Sequence, residues 1–272
     1  MAKAISAVAE CQNTRQTINP ALKSGIRRLI FYTLLLALWQ AIAISGVWPD
    51  YLFPGPSGVF NSLVNGFQNG LFLQATLVSL QRLITGYAIS TLVGLTLGLL
   101  IGRFRIVEET VGSLVLGLQA LPSVCWIPLA LLWFGLTEQA MIFVVVMGAV
   151  FSITLGVQAG VRNTPPIYLK AARNLGANGP RLTTQVILPA AMPAIVNGMK
   201  QGWTFAWRSL MAAELLYTTL SLGNLLETGR DLLDAGQVMA VMVVIIIIGV
   251  TIDGLIFGPI ERRLRERWGL QK

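Results

Sequence analysis

The stretch VMAVMVVIIIIGVTIDGLIFG, from Val238 to Gly258, holds a single charged side chain, Asp253. A helix of that length rises about 30 Å, the thickness of a bilayer's hydrocarbon core. Five further stretches read the same way: Leu29 to Val47, Leu77 to Ile101, Val111 to Phe134, Ala140 to Val161 and Ala191 to Tyr217. Pro122 and Pro128 interrupt the third span, and Lys200, Arg208 and Glu214 interrupt the fifth. Such breaks are tolerated where neighbouring helices satisfy the freed backbone groups. Composition agrees: of 272 residues 54% are apolar and 12% charged, against about 25% charged in a soluble domain. The fold class predicted is all-α, a polytopic membrane protein with six transmembrane helices. No polar block is large enough for a second globular unit. The organisation is a segment over 1–28, a membrane domain over 29–258 and a tail over 259–272.

The net charge of +8, from 20 Lys and Arg against 12 Asp and Glu, first suggests nucleic acid or an anionic membrane surface. Position decides for the membrane. Lys3, Arg15, Lys23, Arg27 and Arg28 precede span one, and Arg103 and Arg105 follow span two. Arg162, Lys170, Arg173 and Arg181 join spans four and five, and Arg262, Arg263, Arg265, Arg267 and Lys272 form the tail. The opposite connections hold only Arg230. Short cytoplasmic loops retain Lys and Arg, so both termini are expected in the cytoplasm, and no nucleic acid is needed. The first 28 residues lack the apolar core of a removable signal peptide.

Several chemistries are excluded. The chain has no histidine, the commonest metal ligand and general base. No cysteine or carboxylate cluster has metal-ligand spacing. Cys11 falls in the cytoplasmic arm and Cys125 inside span three, which makes a disulfide implausible. No G-x-x-x-x-G-K-[ST] occurs, so any ATP and Mg²⁺ sit on another subunit and the chain itself is not an enzyme.

The connections carry the remaining signal. Phe53-Pro54-Gly55-Pro56 is a turn-rich exit from span one. It leads into 57–74, where Val59, Phe60, Leu63, Val64, Phe67 and Leu71 recur at helical spacing opposite Asn61, Asn65 and Gln68. That pattern predicts an amphipathic helix at the membrane interface, capped by Ser57. In the loop over 162–190, Pro165-Pro166 followed by Ile167 to Gly176 predicts a short helix with prolines at its start and a glycine at its end. Ile167, Ala171, Asn174 and Leu175 share one face, a shape that seats in a partner's groove.

The spacing of this loop is distinctive. Lys170-Ala171-Ala172, three residues, Gly176, nine residues, Val186, one residue, Leu188-Pro189 resembles the E-A-A, G, I, L-P loop of bacterial ABC importer permeases. Lys170 stands where that pattern has Glu, and Val186 where it has Ile. Phe53 to Pro56, Leu121 to Leu129, Leu132 to Gly135 and Ala213 to Leu216 are similar to segments of the nitrate, sulfonate, taurine and bicarbonate permeases. The likeness runs over about 29–262. It implies type I importer architecture, a homodimer embedded in plasma-membrane lipid, and an extracytoplasmic substrate-binding protein. It also implies ATPase subunits docked through Pro166, Tyr168, Lys170, Ala171, Ala172, Arg173, Gly176, Leu188 and Pro189.

Ionisable side chains in a span usually face a cavity or a partner. Arg208 lies near the middle of span five, with Trp203 and Trp207 four residues apart on one helix face. A guanidinium fork suits oxyanions. One reading has Arg208, walled by Trp203 and Trp207, lining an anion path with Gln119 and Trp126 of span three and with Glu214. The other has Arg208 as a structural cation paired with Glu214 or capped by carbonyls. Arg82, at the outer start of span two, reads as a headgroup anchor in preference to an attractor of anions. The cargo implied is a small anion: an aliphatic sulfonate is favoured over nitrate, taurine or bicarbonate. The alternative class, a secondary anion transporter or channel without an ATPase, predicts inverted repeats or carboxylate relays. Only Glu214 and Asp253 are central acids, and no internal duplication is visible.

Overall fold

The computed structural model describes residues 20–268. Lys3, Cys11, Arg15 and Lys272, and the side chains of Lys23 and Arg267, lie outside what it describes. Helix α1 (Pro20–Ile44) is followed by the short α2 (Pro56–Gln68) and the long α3 (Leu71–Arg103). Next come α4 (Arg105–Gln119), α5 (Ser123–Phe134) and α6 (Glu138–Arg162). The loop helix α7 (Pro166–Asn174) precedes α8 (Gly179–Glu214), α9 (Leu222–Asp231) and α10 (Ala235–Glu266). No strand occurs among the described residues.

Five of these helices are long and apolar enough to cross a membrane, and α4 with α5 makes a sixth, bent by 102°. The bend falls where the sequence places Pro122, which lacks an N–H and holds φ at −55°. Span three is therefore two half-helices meeting at residues 120–122.

α6 is the central helix, packed along its length by α3 on one side and α8 on the other. Lipid is as apolar as leucine, so apolarity alone does not join helices in a membrane; close van der Waals packing does. Small residues permit it here. Gly86, Gly94, Gly98 and Gly102 on α3 face Val145, Ile153, Val157 and Val161 on α6. A Cβ at Gly98 would lie 2.6 Å from the Thr154 carbonyl oxygen, and one at Gly156 2.5 Å from the Cα of Gly198 on α8. α1 stands outside this core, with Leu29, Phe31, Leu34 and Leu38 exposed. It touches the remainder at Trp39, whose Nε1 donates to the Pro54 carbonyl at 3.2 Å.

Two boundaries differ from expectation. The amphipathic helix ends at Gln68, its N-cap is Gly55, and Ser57 makes no capping bond. Its Val59 is buried with Phe72, Leu225 and Val241, so part of the apolar face packs on protein. Gly70, at φ +72°, makes the tight turn that only glycine adopts readily, and α3 starts at Leu71 instead of Leu77. Arg82 thereby lies eleven residues, about 16 Å, inside the helix.

Candidate functional site

Arg82, Lys200 and Arg208 lie away from the ends of the spans, and their partners separate their roles. Lys200 on α8 pairs with Asp253 at 3.0 Å and Glu261 at 3.1 Å, both on α10. Arg82 on α3 pairs with Glu138 at 3.0 Å and Glu214 at 3.3 Å. Arg208 has no acidic partner among the described residues and faces a cavity of about 360 Å³.

The cavity owes its existence to the break in span three. Gln119, Leu121, Pro122 and Ser123 bring the ends of α4 and α5 to its wall, while Phe151 and Ser152 of α6 and Phe205 and Arg208 of α8 close it. The polar donors therefore come from four helices: Arg208 of α8, Gln119 of α4, and the hydroxyls of Ser123 on α5 and Ser152 on α6. The apolar walls come from Phe151, Phe205, Met147 and Val124. A guanidinium flanked by neutral donors and apolar side chains suits an oxyanion with a small organic body.

The expected site residues divide. Arg208 and Gln119 come together at this cavity. Trp203 does not join them: its ring packs edge-on to Tyr87, centroids 5.0 Å apart, and against Phe257 at 6.4 Å. Trp207 packs between the two larger core clusters, and Trp126 stands behind the wall against Phe143 and Phe151. The aromatic walls are Phe151 and Phe205 instead of Trp203 and Trp207. Helical spacing puts two tryptophans on one face but does not say what that face meets.

Glu214 does not line this cavity. It is fully buried, with the Ser79 hydroxyl 2.7 and 2.9 Å from its two oxygens, the Gly223 N–H donating at 3.1 Å and Arg82 at 3.3 Å. The Leu222 N–H donates to Ser79 Oγ at 3.0 Å, which ties the start of α9 into the same cluster. Arg82, 4% exposed, is thus no headgroup anchor. It satisfies a carboxylate that burial would otherwise leave stranded, and this excludes Glu214 as the partner of Arg208.

α7 sits at the other end of the bundle. Pro165 occupies its N-cap and Pro166 its first turn. At its C-terminus the Ala177 N–H donates to the Ala172 carbonyl and the Gly176 N–H to that of Arg173, both at 2.9 Å, with Gly176 at φ +83°. That is a Schellman ending, which needs a left-handed residue. Ala172 is buried, and Leu169, Val186 and Leu188 pack into the same core cluster. Ile167, Tyr168, Lys170, Ala171, Arg173 and Leu175 face outward. So the motif's Ala172, Val186 and Leu188 build the base of the loop, while Ile167, Ala171 and Leu175 offer an apolar surface. An Arg162–Glu108 ion pair ties the loop's start to α4.

Known proteins similar to this chain identify its family and fold. Residues 90–266 match the family model described as "Binding-protein-dependent transport system inner membrane component". A Methanocaldococcus jannaschii chain named for the ABC transporter permeases is 33% identical over 236 residues, covering 85% of this chain and 88% of its own length. The taurine transport system permease protein of Escherichia coli is 27% identical over 235 residues, 85% of each chain. Among solved structures, a chain of the MetNI methionine ABC transporter in an inward-facing conformation superposes with a TM-score of 0.64 at 20% identity, covering 71% of this chain and 96% of that one. The fold is that of a type I importer permease, and the chain belongs to the binding-protein-dependent inner-membrane permeases of the ABC importers.

Proposed function

We propose that this chain forms the membrane path of an ATP-driven importer for a small organic oxyanion, with an aliphatic sulfonate as the favoured cargo. The observation that carries the reading is Arg208, a cation away from the ends of its span with no acidic partner among the described residues, facing a cavity of about 360 Å³. Gln119, Ser123 and Ser152 add neutral donors there, and Phe151 and Phe205 supply apolar walls for an alkyl group. A cavity of about 360 Å³ leaves room beside an anionic head for a small alkyl body. The likeness to a taurine permease, itself named for an aminosulfonate, supports the same class.

In this proposal two copies pair in the lipid bilayer, with both termini and α7 in the cytoplasm. The exposed Ile167, Ala171 and Leu175 seat in an ATPase subunit that holds ATP and Mg²⁺, and a binding protein delivers cargo at the opposite face. The permease makes no covalent bond. Nucleotide-driven motion of the ATPases shifts α7, and the bundle moves between inward and outward openings because each state binds the partners differently. Lys170, in place of the usual Glu, presents a cation to the ATPase.

The test is uptake of a labelled alkanesulfonate into proteoliposomes carrying the whole complex. Arg208→Gln is expected to abolish uptake while assembly with the ATPase persists. Full uptake by that variant would return Arg208 to a structural role. Uptake without any ATPase would make the chain a secondary transporter or channel.

A further inference from the structure

At the end of the bundle opposite α7, one guanidinium serves two carboxylates in unlike surroundings. Through Nη1, Arg82 reaches Glu214, which is fully enclosed and also held by Ser79 and the Gly223 N–H. Through Nη2 it reaches Glu138 Oε1 at 3.0 Å and the Thr219 hydroxyl at 3.2 Å. The Glu138 side chain is 68% exposed. Pulling Arg82 from Glu214 would strand two charges inside the protein. Pulling it from Glu138 only returns a surface carboxylate to water, and Arg82 keeps its buried partner. Any separation of the helix ends therefore starts at Glu138.

The two arms tie three helices together at this end. Arg82 belongs to α3, Glu138 is the first residue of α6, and Glu214 is the last of α8. Deeper in the bundle the glycine contacts bring the backbones of α3 and α6 close together, whereas at Glu138 the two helices are tied by a single ion pair open to solvent.

We propose that Arg82 is a positioning residue in a latch. Its fixed arm holds the end of α8, the helix that carries Arg208, and its releasable arm to Glu138 keeps the end of α6 against α3 until the path opens on that side. The proposal rests on the importer reading for its purpose, though not for its measurement.

The test uses the purified full chain in nanodiscs with Cys11 and Cys125 changed to Ser. Spin labels are placed at Leu73→Cys and Gln139→Cys, exposed positions near the starts of α3 and α6. Glu138→Gln is expected to raise the long-distance population about two- to fivefold, the scale of one exposed ion pair, with the melting temperature unchanged. Glu138→Asp is expected to restore most of the parental distribution. In the complex assembled with ATPase subunits, the same Glu138→Gln change raises ATP hydrolysis without cargo by a similar factor. A distance distribution identical in Glu138→Gln and parent overturns the latch, and so does a lowered melting temperature without a longer distance. If no ATPase assembles with the chain, the importer reading fails, while the distance measurement still decides the latch.

Discussion

Gly156 on α6 and Gly198 on α8 meet backbone to backbone: a Cβ on Gly156 would lie 2.5 Å from the Gly198 Cα, and one on Gly198 2.8 Å from the Gly156 Cα. No side-chain rotation relieves such a contact, because the obstacle is main chain. Gly198→Val is therefore expected to force α6 and α8 apart and to cost at least the ~1–3 kcal/mol typical of overpacking. Gly249, on α10, has open space around its Cβ position. Gly249→Ala there gains helix propensity worth about 0.5–1 kcal/mol. Thermal unfolding in detergent should move in opposite directions for the two variants.

The buried cluster gives a second contrast in stability. Glu214→Ala removes the enclosed one of the two carboxylates that Arg82 serves, leaving a guanidinium that is 4% exposed with only the exposed Glu138. The Ser79 hydroxyl and the Gly223 N–H also lose their acceptor, and breaking a buried cluster of this kind costs on the order of 3–5 kcal/mol. Glu138→Ala leaves Arg82 paired and is expected to cost no more than about 1 kcal/mol. Folded yield and melting temperature of the two variants check this order, and equal losses would contradict it.

The sequence made the spans legible because hydropathy alone decides what can cross a bilayer. It also located the bend, since Pro122 removes a donor wherever the chain runs. Arg82 was legible as a charge in a span but not as a buried one. Its helix starts earlier than the apolar run, at the turn Gly70 makes, and its partner Glu214 lies 132 residues away. No local periodicity reports such a pair. Arg208 and Gln119 are readable as polar residues in apolar surroundings, whereas nothing in the chain separates Phe151 and Phe205 from other apolar residues of their spans, and only the packing of α6 on α8 brings them to one cavity. The spacing-of-four series Gly86, Ser90, Gly94, Gly98 and Gly102 is plain in the chain. Its meaning depends on α6 lying across it.

The loop helix separates docking from shape. Leu175 is 87% exposed, so Leu175→Asp is expected to leave the fold and melting temperature intact while ATPase co-purification falls about tenfold or more, the scale of losing one buried apolar anchor at an interface. Gly176→Trp acts differently, because φ +83° is closed to bulky side chains. That change is expected to unwind the Schellman ending and lose co-purification together with some stability. If Leu175→Asp retains the ATPase, the docking surface is not the outward face of α7.

Ser152 tests the cavity without touching its charge. It is 4% exposed, and it lines the space opposite Arg208 from the central helix. Ser152→Leu adds apolar volume inside a cavity of about 360 Å³ and removes one hydroxyl, yet it leaves the α7 face unaltered. Uptake of an alkanesulfonate is expected to fall at least tenfold, because a blocked path raises the barrier for every cargo that fits. ATPase assembly should be unchanged. Ser152→Ala removes the hydroxyl and opens slightly more space, so a donor role predicts weaker apparent affinity with the maximal rate retained. Equal uptake by parent, Ser152→Ala and Ser152→Leu would mean that cargo crosses elsewhere, and Arg208 would then need another explanation for lacking an acidic partner.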